Sequence, residues 1–343
     1  MTKLPPVTAF LLTGLLGIAC SPSLPVELST EDHGVHDTGW EDTRDTWDAP
    51  LAPPANPPED EGGDAPPEDT GQPPEDTGQP LEDTGQPPMD DDPVADDPEG
   101  TLRLTMIDVG QADALLLVGP DGTSLLVDGG KSGSDDEIET ALADAGVSEL
   151  DYTLLSHMHA DHLGAMDEVL AAHPEVLRCY DHGGTATTNA YADYADEATG
   201  CRTTLHSGDS IDLGPGVQAE ILHPGSPGDS DENANSIVLR VSFAGVTMLL
   251  GGDCPEDDCE EDLDPGIIDI YKVHHHGSAS SSSASFLDRI QPELALISVG
   301  NNSYGHPTDS AMDRIEAAGA SIMRSDLHGD VTVMVDTTGW WVE

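Results

Sequence analysis

From about Thr101 onward the sequence predicts an α/β domain with metal-ligating side chains on loops at one edge of a sheet. Short apolar runs of strand length alternate with helix-periodic segments, which gives the class. Several of these runs stop at glycines or turn residues flanked by Asp or His, which gives the position of the site. The third observation is the hexapeptide His157-Met158-His159-Ala160-Asp161-His162, where three imidazoles and a carboxylate follow the apolar run Tyr152 to Leu155. Residues of these types at this density form a divalent-metal cage, and an unmetallated cluster would crowd titratable groups without a partner.

The domain opens with the alternating run Leu102 to Asp108 and a turn at Val109 to Asp113. Runs at Ala114 to Val118 and Ser124 to Val127, separated by Gly119-Pro120-Asp121-Gly122, complete a β-meander. The third strand ends in Asp128-Gly129-Gly130, where the glycines leave room for a carboxylate to approach the cluster from behind. Asp135 to Ala145 reads as a helix. In the hexapeptide, His157 and His159 lie two apart and can point the same way from an extended turn. Asp161 and His162 then begin a single helix through Leu163, Met166, Val169 and Leu170, so they leave at another angle, towards a second ion.

Further strand-like runs cover Val176 to Tyr180, Ser210 to Leu213, Val217 to Leu222, Ile237 to Phe243 and Val246 to Leu250. The last ends in Gly251-Gly252-Asp253, again an acidic residue sited to reach a cluster and able to bridge two cations. A strand at Ile267 to Val273 delivers His274-His275-His276-Gly277-Ser278 into a serine-rich loop. A helix near Ser285 to Ile290, a strand at Glu293 to Ser298 and the loop Asn301 to Pro307 follow. A helix over Asp309 to Ala318 and strands at Ser321 to Met323 and Val331 to Val335 close the chain. The isolated His182, His206, His223 and His328 read as surface or locally bonded residues.

The chain of 343 residues divides by composition into three parts. Residues 1–20 resemble an export signal, with Lys3, an apolar stretch from Val7 to Ile18 too short to span a bilayer comfortably, and small residues before Cys20. Leu16-Gly17-Ile18-Ala19-Cys20 resembles a bacterial lipoprotein cleavage site, although its Leu stands one position early. The expectation is a lipid-anchored protein of the periplasm or cell surface, with simple secretion as the alternative. Residues 21–100 are dominated by Pro, Asp, Glu, Gly and Thr and repeat a seven-residue unit from Pro66 to Gln86, which reads as a disordered, self-repelling tether. Residues 101–343 form the folded domain.

Acidic residues outnumber basic ones 67 to 11, and the 43 acidic and 9 basic residues after position 99 leave the domain itself at -34. Such a field gives no basic footprint for strong nucleic-acid affinity, though metal ions in a cleft can attract a phosphate locally. With Cys20 assigned to lipid, four cysteines remain, and in an exported protein they suggest disulfides, most simply Cys179 with Cys201 and Cys254 with Cys259.

Asp108 to Ala114, Leu126 to Gly130, the hexapeptide, Asn235 to Leu239, Gly251-Gly252-Asp253, Lys272-Val273 with His275 to Ser278, and Tyr304-Gly305-His306-Pro307 occur in the order typical of the metallo-β-lactamase superfamily. They resemble in particular the metallo-hydrolase domain of the ComEC competence proteins, departing from it at Ala112, where glycine is usual. The resemblance implies a four-layer αββα sandwich. It implies two divalent ions, zinc or manganese: His157 and His159 on the first, Asp161 and His162 on the second, Asp253 bridging, and His275 completing the second. His276 is the alternative to His275, because the His triplet leaves the register open. Asn235 stands where many members place another metal-binding His, implying a weakly held first ion.

By the same resemblance the chain would hydrolyse a phosphodiester with a metal-activated water steadied by Asp161 or Asp253. Asp128 would act as an orienter from behind the ligands, and His306 would donate to a substrate oxygen. The acidic surface points instead to small ester-like substrates such as a lactone, thioester or β-lactam. A reading of a different class is a catalytically silent surface binding protein. The sequence has no long apolar segments like those of the ComEC channel, which argues against DNA transport by this chain.

Overall fold

The computed structural model describes residues 100–224 and 231–343. Cys20, the export segment and the tether up to position 99 lie outside them. Strands β1 (Leu102–Met106), β2 (Leu115–Val118) and β3 (Ser124–Val127) run antiparallel in sequence order, the meander read from the sequence. Helix α1 (Asp135–Asp144) leads to β4 (Tyr152–Leu154), which lies parallel to β3. Two short helices follow, α2 (Ala160–Leu163) and α3 (Met166–Ala172), then β5 (Arg178–Asp181), α4 (Asn189–Glu197) and β6 (Arg202–Thr204).

The second sheet begins with β7 (Ser210–Ile211), β8 (Gln218–His223), β9 (Val238–Phe243) and β10 (Val246–Leu250), all antiparallel. It continues in parallel through β11 (Ile270–Lys272), helix α5 (Ala284–Ile290), β12 (Leu294–Ile297), α6 (Asp309–Ala318) and β13 (Ser321–Arg324). After α7 (Ser325–His328), β14 (Val331–Asp336) and β15 (Gly339–Val342) return to the first sheet, where β14 pairs with β1. The sheets run β15-β14-β1-β2-β3-β4-β5-β6 and β13-β12-β11-β10-β9-β8-β7.

Strand periodicity explains the layering. Leu115, Leu117, Leu125 and Val127 face the space between the sheets, where they meet Leu239, Val241, Met248 and Leu250. Their neighbours Leu116 and Leu126 turn outward to pack under α1, α3 and α4 with Ile138, Val169 and Tyr194. On the other sheet Leu249, Tyr271 and Ala295 turn outward to Phe286 and Ile315 of α5 and α6. Three apolar layers thus separate helix, sheet, sheet and helix, which is the αββα order. Among the described residues no helix is long and apolar enough to cross a membrane.

Helix α4 and strand β15 were not read from the sequence, and the helix after the hexapeptide departs from its reading. The single helix expected from Asp161 onward is broken between α2 and α3 by tertiary contact. The backbone of Gly164 lies so close to Lys131 and Ser132 that a Cβ there would come within 2.4 Å of Ser132 N. Gly164 N donates to Gly130 O (2.8 Å) and Gly129 N to His162 O (2.5 Å), so the loops after β3 and β4 are laced together.

A candidate metal centre at the strand ends

The chemistry-bearing side chains gather where strands stop. Asp128 follows β3, the hexapeptide follows β4, Asp253 follows β10 and the His triplet follows β11. Asp128 is fully buried at φ 61°, a conformation that side chains seldom adopt, and its carboxylate is saturated. It accepts from Ser156 N (2.7 Å), Ser156 Oγ (2.8 Å) and His162 Nδ1 (2.8 Å). Anchored at Nδ1, the His162 ring presents Nε2 to Asp253 Oδ1 at 3.2 Å.

Asp253 faces both ways. His276 Nε2 lies 3.7 Å from Oδ1, while His157 Nε2 and His275 Nε2 lie 3.9 and 3.5 Å from Oδ2. His157 Nε2 is 3.0 Å from His159 Nδ1, and His276 Nε2 is 3.6 Å from Asp161 Oδ2. Ligand atoms within 4.8 Å of one another therefore form a group of His157, His159 and Asp253, and another of Asp161, His162 and His276.

The expected ligand His275 is the one that falls outside these groups. The chain leaves β11 through left-handed turns at both His275 (φ 52°) and His276 (φ 52°), which breaks strand alternation. His276 is thereby driven into the buried centre and His275 to its rim, with its side chain 23 % exposed. His276 Nδ1 is fixed on Ser298 O at 2.9 Å. His274 turns the other way, to Glu260 (2.9 Å), which also accepts from Ser282 N and Ser283 N.

Asn235 is buried. Its Nδ2 donates to Glu232 Oε2 (3.1 Å), and Glu232 Oε1 in turn accepts from Met158 N (2.9 Å) and pairs with His182 (3.0 Å). His306 lies on the cavity wall, its ring stacked near Tyr304 (5.7 Å) and its buried Nδ1 without a hydrogen bond. Disulfides join Cys179 to Cys201 and Cys254 to Cys259, the second closing a loop directly after Asp253.

The sequence reading gave no role to Asp113 or Lys272. Asp113 is fully buried, paired with Lys272 Nζ at 2.7 Å, accepts from Ser298 Oγ, and lies 3.2 Å from His276 Nδ1. In the sequence it belongs to the Asp108 to Ala114 stretch that carries the family resemblance, but nothing there marks its own role. Asp113 also approaches His162 and Asp253, but Lys272 and Ser298 already occupy its two oxygens, so it supports the centre from behind.

The donor set fits divalent cations. Among the described residues His162 Nε2, His276 Nε2 and Asp253 Oδ1 are buried polar atoms without hydrogen-bond partners, converging on one place, a costly arrangement unless a ligand satisfies them. Imidazole nitrogen and carboxylate oxygen are donors that zinc and manganese accept. Burial opposes charge on His162, but Asp253 and Asp128 outweigh it and hold the imidazolium well above the usual histidine range. Burial and the adjacent His162 push His157 well below that range. Burial would raise Asp253, yet His162 and His276 prevail and hold its carboxyl well below the carboxylate range.

The groups open into a cavity of about 280 Å³ lined by His159, Asp161, Asp253, His275, His276 and His306. A larger one of about 550 Å³ adjoins it, and the two share Gln111, Ala160, Asp161 and Tyr304.

Comparison with known proteins agrees with this architecture. The chain is 31% identical over 237 residues to competence protein ComA of Neisseria gonorrhoeae, covering 68% of this chain and 32% of that protein. It is 28% identical over 253 residues to ComE operon protein 3 of Bacillus subtilis, covering 67% and 32%. The chain thus spans about a third of the length of these relatives. Among solved structures, the metallo-beta-lactamase fold protein YhfI of Bacillus subtilis gives a TM-score of 0.48 at 12% identity, covering 71% of this chain and 100% of that one. With residues 107–300 matching its family description and the αββα layers supporting the match, the chain belongs to the metallo-beta-lactamase superfamily and is homologous to these competence proteins.

Proposed function

We propose that the protein is a two-metal phosphodiesterase acting outside the cytoplasm, held to a membrane through lipid on Cys20. The observation that carries the catalytic part is the set of buried, partnerless donor atoms around Asp253. Kinship with the competence proteins favours a phosphodiester as the substrate. Two disulfides suit an oxidising compartment and so support export.

His157, His159 and Asp253 would hold one ion, and Asp161, His162, His276 and Asp253 the other. When bound, the pair supplies Lewis-acid activation of water and neutralises charge developing on phosphoryl oxygens. The chain's own residues do the rest. Asp161, partly exposed on the cavity wall, accepts a hydrogen bond from the attacking water and aligns it. Burial, and then the neighbouring His275 and His276, depress the His306 pKa, so its imidazole is neutral near pH 7 and donates a single N–H to the leaving oxygen. Asp128 and Asp113 keep the His162 and His276 rings from rotating.

The test is hydrolysis of bis-p-nitrophenyl phosphate and single-stranded DNA by the full chain, chelated and then given zinc or manganese. Metal-restored cleavage that Asp161→Ala abolishes supports the proposal. A folded, metal-loaded protein that cleaves neither substrate overturns it. The net charge of -34 on the domain then favours small lactone, thioester or β-lactam substrates, and inertness towards those as well would leave a binding protein.

A further inference from the structure

The domain has nine basic residues between positions 100 and 343, and eight of them are committed. Arg202 and Arg324 pair with aspartates, Lys272 with Asp113, and Arg103 with Glu343. Arg178, Arg240, Arg289 and Arg314 donate to backbone carbonyls. Among the described residues the side chain of Lys131 alone of these nine makes no hydrogen bond or ion pair. It lines the larger cavity beside the metal centre, with Ser132, Asn301 and the exposed Tyr304.

The fold holds Lys131 there by close backbone packing. Gly110, at φ 76°, leaves the space its ammonium uses, since a Cβ at that position would lie 2.5 Å from Lys131 Nζ. The following turn is fixed by Gly300, whose Cβ would lie 2.6 Å from Gln111 N. Gln111 accepts from Gly300 N at 3.3 Å through its side-chain oxygen, and among the described residues its side-chain nitrogen has no partner. Tyr304 stands on the wall shared by the two cavities, 72 % exposed, with His306 stacked near it at an interplanar angle of 30°.

Resting on the phosphodiesterase reading, we propose that this adjoining cavity is a nucleotide subsite in which Lys131 binds the phosphate next to the scissile one and Tyr304 stacks its base. A lone cation in an acidic surface focuses a local positive potential and repels anions elsewhere, so it selects one phosphate and gives no track for a long strand. An exposed tyrosine offers the sequence-tolerant face that base stacking needs. The contiguous wall through Gln111, Asp161 and Tyr304 lets one ligand occupy both cavities.

The test compares binding of thymidine 3′,5′-bisphosphate and thymidine 5′-monophosphate to the metal-loaded full chain by calorimetry. The bisphosphate should bind about tenfold tighter, Lys131→Ala should erase that margin and Lys131→Arg should keep it. The slope of log affinity for the bisphosphate against log salt should also fall by about one in Lys131→Ala. A margin absent in the unaltered protein, or unchanged in Lys131→Ala, overturns the subsite. Because binding is read without turnover, a Lys131-dependent margin in a protein that cleaves no diester would keep the subsite and sink the phosphodiesterase reading instead.

Discussion

The two halves of the metal centre share Asp253 and little else. Around Asp161, His162 and His276 the rings are locked from behind, His162 by Asp128 and His276 by Ser298, and Asp128 and Asp113 are themselves held by Ser156 and Lys272. Around His157 and His159 the support is thin. His157 meets Ser156 Oγ at 3.1 Å, His159 is exposed, and Asn235 Nδ2 donates to Glu232. The contrast teaches that a ligand's value depends on what holds it, because an unrestrained ring must lose its freedom on binding. The buried half should fill first and more tightly.

The comparison can be broken most decisively at the shared carboxylate. Asp253→Ala should lower kcat/KM for bis-p-nitrophenyl phosphate by about a thousandfold or more and leave less than one ion per chain by elemental analysis. Retention of two ions would show that Asp253 bridges nothing.

Next in size is the contrast between two adjacent histidines. His276→Ala should cost about a hundredfold in affinity for the tighter ion, whereas His275→Ala, at the rim, should cost about tenfold or less. Equal losses in a metal titration would return His275 to the ligand set.

Asp128→Asn keeps the shape of the side chain while weakening its hold on His162 Nδ1, and should reduce affinity for the tighter ion by about tenfold to a hundredfold. Affinity for the weaker ion, measured in the same titration, should move much less.

The smallest effect is in protons. Burial opposes charge on His276, but Asp113 and Asp253 outweigh it and raise its pKa to about 10 in the metal-free protein. Its proton is therefore present at pH 7 and must leave when a metal binds, so affinity for the tighter ion should rise with pH from 6 to 8. The first ion should release more protons than the second, read as the dependence of binding heat on the buffer's ionisation enthalpy. A pH-independent first affinity would contradict the assignment.

The fold was legible where chemistry and periodicity coincide in one stretch. Strand runs ending in Asp128, Asp253 and the hexapeptide stand out because each brings its own ligand or glycine. The break at Gly164 was hidden, because it follows from contact with Lys131 and Ser132 some thirty positions away. His276 could not be told from His275 because the His triplet leaves the register open, and only two successive left-handed residues separate their directions. Asp113 and Lys272 lie 159 positions apart in two separate motifs, so their pairing could not be read from either. Lys131 was invisible for another reason: its distinction is that other cations are occupied, a property of the whole domain.

The first sheet also sets a timetable. Within it β1 lies between β2, its neighbour in sequence, and β14, whose Thr332 meets Thr105 at a sequence separation of 227. Strand β1 is made long before β14, so one of its flanks stays open until β14 arrives. Until then the open edge is a template for any passing strand, so early chain termination is hazardous for this protein and premature folding is difficult.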